Sequence, residues 1–199
     1  MDAGFVHHVR GFCLRNTTRQ DTAALLKLFG EAMADWPLDD LRVWVRYGRG
    51  ADYSGACYTR EGRIFINLGR HLKYPYALGT RIARAVTLPD RWVKQIYFVA
   101  CADPYQLATF LWRHECYHWL VRKARRNGRQ KESMCDRFAV RYLVDRWNCA
   151  VTTPEGDKVA RAEWDFQEVE RFVSAARSKP ERSMAQTSLS AHATRPPTS

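Results

Sequence analysis

The apolar positions Ala23, Ala24, Leu26, Leu28 and Phe29 suggest a helix over residues 20–36, with Asp21 as its N-cap and Pro37 as its stop. The period then falls to two. Residues 42–47 (Arg-Val-Trp-Val-Arg-Tyr) alternate and are rich in β-formers, which predicts a strand. Gly48, Gly50 and Gly55 punctuate the loop expected after it. Residues 56–59 and 63–68 are further β-prone runs across a turn at Glu61-Gly62, the pattern of a hairpin. Its second strand sets Ile64, Ile66 and Leu68 on one face and Phe65 and Asn67 on the other. Residues 1–18 carry no readable period. Residues 70–90 hold Pro75, Gly79 and Pro89 and suggest only a short helix near 81–86, while 92–100 are again β-prone.

Helical signals dominate the remainder. Asp103 is an N-cap, Pro104 fits the first helical position and Gln106 completes a capping-box pattern, so a helix is predicted from there to about residue 126. Asn127-Gly128 is its expected C-cap. A second helix follows over about 130–147, and a third over 154–176 with Thr153 as N-cap. From residue 179 the chain turns to Ser, Thr, Pro, Ala and Gln, so 179–199 is expected to be a disordered tail on a single domain, 1–178. The expected class is α+β, with a small, mostly antiparallel sheet packed on the helices.

The central helix carries His114-Glu115-Cys116-Tyr117-His118. Residues four apart lie on one helical face, so His114 and His118 can present two imidazoles to one metal ion. Glu115 sits about 80° round the helix from the middle of that pair, off the metal but within reach of a water on it. Two imidazoles on zinc beside a carboxylate base is the working core of a metallopeptidase. Cys116 falls about 180° away and should face the core.

A catalytic zinc site ordinarily takes a third protein ligand. The short turn before the second helix folds it back on the first, which places Glu132 well for that role, and Asp136 one turn on for holding a ligand histidine by its free ring nitrogen. The rival ligands are His7, His8, His71 and His192, none of them on a helix after the motif. The blander alternatives are a salt bridge from Glu132 to nearby arginines and a solvated Asp136.

His114-Glu115-x-x-His118 followed by Glu132-Ser-Met-Cys-Asp136-Arg-Phe-Ala139 resembles the gluzincin metallopeptidases, above all the compact ImmA/IrrE-type and minimal gluzincins. The resemblance implies a zincin-like fold, Zn2+ on His114, His118 and Glu132, Glu115 as general base and Asp136 behind the ligands. It also implies that the hairpin near 56–68 belongs to a sheet whose edge holds an extended peptide. Tyr117 and Cys135 depart from the family, which commonly has Gly and Ala there.

Composition adds three things. The 199 residues are 46% hydrophobic and 13% aromatic, which argues against overall disorder. The N-terminus lacks a signal-peptide pattern, no apolar run nears the ~20 residues of a membrane span, and the six cysteines form no Cys-x-x-Cys pair. A cytoplasmic protein with reduced thiols and no membrane partner is therefore expected. Lys and Arg exceed Asp and Glu by 32 to 21, a net +11, and Arg122, Lys123, Arg125, Arg126, Arg129 and Lys131 cluster. Cations at a helix C-terminus complement its dipole, and a nucleic-acid-binding face is the other reading. The expected function is zinc-dependent hydrolysis of a peptide or protein substrate; the alternative is an inactive zincin scaffold for regulation or nucleic-acid association. Hydrolysis also needs an oxyanion-stabilising side chain, and neither Arg141 nor Tyr142 is singled out for it.

Overall fold

A computed structural model describes residues 7–9, 11–39, 41–50, 52–129 and 131–177. In chain order these form β1 (His7–Val9), β2 (Phe12–Asn16), α1 (Thr22–Ala32), β3 (Leu41–Tyr47), β4 (Tyr53–Tyr58), β5 (Arg63–Leu68), β6 (Tyr76–Thr80), β7 (Ala85–Thr87), β8 (Trp92–Lys94) and β9 (Tyr97–Cys101). There follow α2 (Pro104–Lys123), α3 (Glu132–Trp147), β10 (Val151–Thr152), α4 (Arg161–Trp164), α5 (Val169–Val173) and a 3-10 turn, Ser174–Ala176. The class is α+β. The expected tail, 179–199, lies outside the described residues.

Five strands make one sheet in the order β1-β2-β3-β5-β4. Phe12, Leu14, Leu41, Val43, Val45, Ile64, Ile66 and Leu68 alternate onto its buried face, as the period of two requires. The expectation of a mostly antiparallel sheet is corrected here. β2 pairs β3 and β3 pairs β5 in parallel, and only β1–β2 and β4–β5 are antiparallel. The cause lies in the connections: α1 is the crossover from β2 to β3, and β5 inserts between β3 and β4. Residues 7–16, unreadable in sequence, supply two of the strands. A smaller antiparallel sheet, β10-β9-β6, and the hairpin β7–β8 complete the β-structure.

α2 is the central element, wedged between the main sheet, α1 and α3. Trp112 stacks on Phe29 of α1 at 5.1 Å between centroids, meets Phe12 at 5.2 Å, and donates its indole N–H to the Phe29 carbonyl at 3.0 Å. Trp112 and Tyr117 are therefore fully buried packing residues, and Trp119 is nearly so. Asp103 caps α2, accepting from the N–H groups of Tyr105 and Gln106 at 2.8 and 2.9 Å. Gln106 reaches back one residue further than a capping box, to the Ala102 N–H. The helix ends before the expected Asn127-Gly128. Arg125 takes the left-handed conformation, φ 54°, and Arg126 N–H bonds the Val121 carbonyl at 3.0 Å, which is a Schellman closure.

Two other expectations fail for identifiable reasons. No helix forms at 81–86: Ala85–Thr87 pairs with β8 as a strand, and tertiary partners hold the backbone groups of Arg81 and Ile82. The Arg81 N–H donates to Asp136 Oδ2 at 2.7 Å, and the Ile82 carbonyl accepts from Arg137 at 2.6 Å. The 92–100 run is split between two sheets at Gln95-Ile96. The long helix at 154–176 is replaced by a turn in which Gly156, at φ 97°, lets Thr153 N–H reach the Asp157 carbonyl at 2.8 Å. Only the short α4 and α5 follow, and they cross back over α3. Among the described residues no helix is long and apolar enough to cross a membrane, and the six cysteines are unpaired.

Arg137 pins this return. Its buried guanidinium donates to the carbonyls of Trp164 (2.5 Å), Ile82 and Ser133 and to the Gln167 side chain, and it lies over the Phe166 ring. Arg137→Ala strands these buried acceptors at ~1–3 kcal/mol for an unsatisfied group. A loss near ~3 kcal/mol lowers Tm by roughly 6–12 °C in a domain of this size. A calorimetric Tm within about 2 °C of the wild type would show that the guanidinium is not the pin.

Candidate metal centre

The closing turn between α2 and α3 brings the start of α3 over the middle of α2. His114 and His118 project from one face of α2, with ring centroids 5.1 Å apart. Glu132, the first residue of α3, places Oε2 3.3 Å from His114 Nε2 and Oε1 3.3 Å from His118 Nε2. Asp136 stands behind His114, its Oδ1 2.8 Å from Nδ1. An ionised carboxylate only accepts, so the Nδ1–H donates and Nε2 is turned toward Glu132. The sequence-based group of His114, Glu115, His118, Glu132 and Asp136 therefore meets in one place.

A second grouping shares the histidines. Ligand atoms of His114, His118 and Cys135 lie within 4.8 Å of one another, and Cys135 Sγ is 3.5 Å from His118 Nε2. This cluster could hold a metal ion. Cys135 stands at the position noted as a departure, and the sequence reading gave it no role. Glu132 and Cys135 differ in the charge they carry at rest. Burial, and the negative charges of Glu132, Asp136 and Glu115, push the Cys135 thiol far up, whereas the Glu132 carboxyl is held well below its usual range by the hydrogen bond from His114. The rival His71 is exposed and is not among the residues lining the cleft. The side chains of His7 and His8, and all of His192, lie outside the described residues.

Charge in the cluster is organised by burial. Burial alone would disfavour a proton on His114, but hydrogen bonds to Asp136 and Glu132 reverse this and raise its pKa well above the ordinary value. Burial and the neighbouring His114 charge both lower His118, so it stays neutral. Burial raises Glu115 to about 7; His114 opposes the shift, and the Glu132 and Asp136 carboxylates add to it. A carboxyl poised near neutrality suits proton transfer.

Three contributors escaped the sequence reading. Gly55 is mid-strand in β4, paired with Ile66, and not a loop residue. A Cβ there would meet Glu115 Cγ at 2.9 Å and Cδ at 2.8 Å, so glycine leaves the room that Glu115 occupies. Tyr53 and Arg81 line the cleft beside His114, Glu115 and Glu132. Burial, and then the Asp136 charge, raises the Tyr53 phenol, so it stays a hydroxyl. The two side chains considered on α3 are occupied elsewhere. Arg141 is ion-paired with Asp165 and Glu170, and Tyr142 packs edge-on against Trp147.

No protein-family model matches the chain, and no curated protein or solved structure is similar to it at a significant level.

The two groupings make opposite predictions. After dialysis against a chelator of intermediate affinity and reloading, Glu132→Ala retains at least tenfold less metal than wild type by elemental analysis, and Cys135→Ala retains about as much. Metal lost from Cys135→Ala but kept by Glu132→Ala assigns the third donor to the thiol.

Proposed function

We propose that the protein is a zinc-dependent peptidase with a zincin-like arrangement of helices and sheet. One observation carries this reading: the Glu132 carboxylate converges on the Nε2 atoms of both His114 and His118, with Asp136 fixing His114 from behind. Two imidazoles and one carboxylate form the donor set of many catalytic zinc sites, which leave a position open. His114, His118 and Glu132 would hold the ion. Zinc bound there supplies Lewis acidity, polarising a scissile carbonyl and bringing the pKa of water toward neutrality.

The remaining work falls to the chain. Glu115, buried beside the two histidines, accepts the proton of the attacking water and delivers it to the leaving amine. Gly55 lets the carboxylate approach the strand that borders the cleft. That strand, β4, is the outer strand of the main sheet, and among the described residues it is bonded to β5 on one side only. Its other edge is available to an extended peptide, which would bind by adding a strand and be held mainly by backbone hydrogen bonds. Tyr53 and Arg81 offer a hydroxyl and a positive charge for the developing oxyanion.

Glu115→Gln retains the metal and lowers kcat/KM on a quenched-fluorescent peptide mixture by about 10²–10⁴-fold. Gly55→Ala displaces the same carboxylate and lowers it at least tenfold, with Tm held near the wild-type value. Undiminished hydrolysis by metal-loaded Glu115→Gln removes Glu115 from the reaction. A tightly held metal with no cleavage of any peptide by the wild type favours a structural site, for which the Cys135 grouping supplies the donors.

A further inference from the structure

The cleft has two unlike ends. Tyr53, Gly55, Cys57 and Thr59, alternate residues from the start of β4 to just past its end, line it in sequence. Glu115 lies opposite Gly55, so the reacting centre sits partway along. Toward Tyr53 the walls include Ile96 and Leu111 together with Arg81. Toward Thr59 the cleft, about 460 Å³ at this end, is bounded by Arg122 and Arg126.

The placement of Arg122 follows from the helix. His114, His118 and Arg122 are each four residues apart, so all three lie on one face of α2. At ~1.5 Å rise per residue, Arg122 stands about 6 Å beyond His118. An extended peptide advances ~3.3 Å per residue, so that span is about two residues of substrate. Arg126 joins it because the Schellman turn folds the chain back at Arg125. There its guanidinium donates to the Phe172 carbonyl at 3.3 Å. The attraction of cations to a helix C-terminus accounts for basic residues at this point in the chain, but not for two of them bordering the cleft. Among the described residues neither has a carboxylate within ion-pairing distance, whereas the adjacent Lys123 is paired with Asp39 at 3.6 Å.

We infer that this end of the cleft selects an acidic side chain, carried about two or three residues from the scissile bond by a peptide lying along β4. Arg122 and Arg126 are the specificity residues. The inference rests on the peptidase reading and narrows it to substrates with an Asp or Glu on one side of the cut. Both guanidiniums are exposed, which limits the preference to roughly five- to tenfold in kcat/KM.

Digestion of a random peptide mixture by the zinc-loaded wild type, with the product ends sequenced, tests this. Binding of labelled Glu, Gln and Lys versions of one peptide to Glu115→Gln, followed by fluorescence anisotropy, gives a readout independent of turnover. The expected results are enrichment of Asp and Glu at one position on one side of the cut, tighter binding of the Glu peptide, and weakening of that preference by added salt. Arg122→Gln with Arg126→Gln should abolish the preference, and Arg122→Glu should turn it toward Lys and Arg, with Tm unchanged in both. Cleavage with no charge preference overturns the inference and leaves the peptidase standing. No cleavage by the wild type, with no binding by Glu115→Gln, overturns the peptidase and the inference with it. A labelled oligothymidylate bound through the same arginines, in place of any acidic preference, assigns this end to nucleic acid and overturns the inference as well.

Discussion

Asp136 uses both carboxylate oxygens, and the arrangement of the centre depends on how they are spent. Oδ1 takes the Nδ1–H of His114 on α2, and Oδ2 takes the backbone N–H of Arg81 from the segment after β6. One side chain of α3 thus fixes the ring orientation of a metal-ligand candidate and anchors the stretch that borders the cleft. The next residue, Arg137, does the reverse job with a cation. It collects the carbonyls of Ile82 and Trp164 and so holds that stretch, α3 and the returning C-terminal segment together. Adjacent residues of opposite charge, pointing to different sides of α3, tie the centre to the fold.

The same economy explains what the sequence could and could not disclose. The two-helix core of the site was legible because its signals are local: the four-residue histidine spacing, the Asp103 cap with Pro104, and the short link that obliges α3 to return along α2. Cys116, placed in the core by helical angle alone, is fully buried. The hairpin was legible from its alternation, though β4 begins at Tyr53 and not at residue 56. That difference hid Gly55, which reads as loop punctuation until its strand is extended by three residues.

The failures share a cause, which is that distant groups decide local conformation. Residues 81–86 read as helical in isolation; a carboxylate and a guanidinium at |i−j| of 55 hold the backbone of Arg81 and Ile82, and pairing with β8 draws residues 85–87 into a strand. Thr153-Pro154 fits the start of a helix and a turn equally well, and the left-handed Gly156 two residues on selects the turn. The parallel pairings of β3 arise from which strand neighbours it, something no period of two can encode. Arg125 adopts a conformation usually reserved for glycine, so the end of α2 falls short of the Asn-Gly pair that would ordinarily mark it.

Placing the centre on α2 also explains why that helix shows so weak an amphipathic pattern. A surface helix buries one stripe, but α2 is buried on nearly every side and exposes little beyond the face of His114 and His118. Residues flanking the candidate ligands are fastened from behind. Trp112 bonds the Phe29 carbonyl, Arg113 reaches the carbonyls of Ala32 and Phe138, and the Tyr117 hydroxyl donates to the Val169 carbonyl at 2.9 Å. The anchors come from three elements, α1, α3 and α5, so neither rotation nor sliding of α2 can be accommodated without breaking several at once. Ligand geometry must hold to a few tenths of an ångström for a metal to be bound tightly, and a rigid helix supported on its far side meets that demand better than a loop. The buried polar contacts behind α2 therefore support the face that carries His114 and His118 as well as the fold.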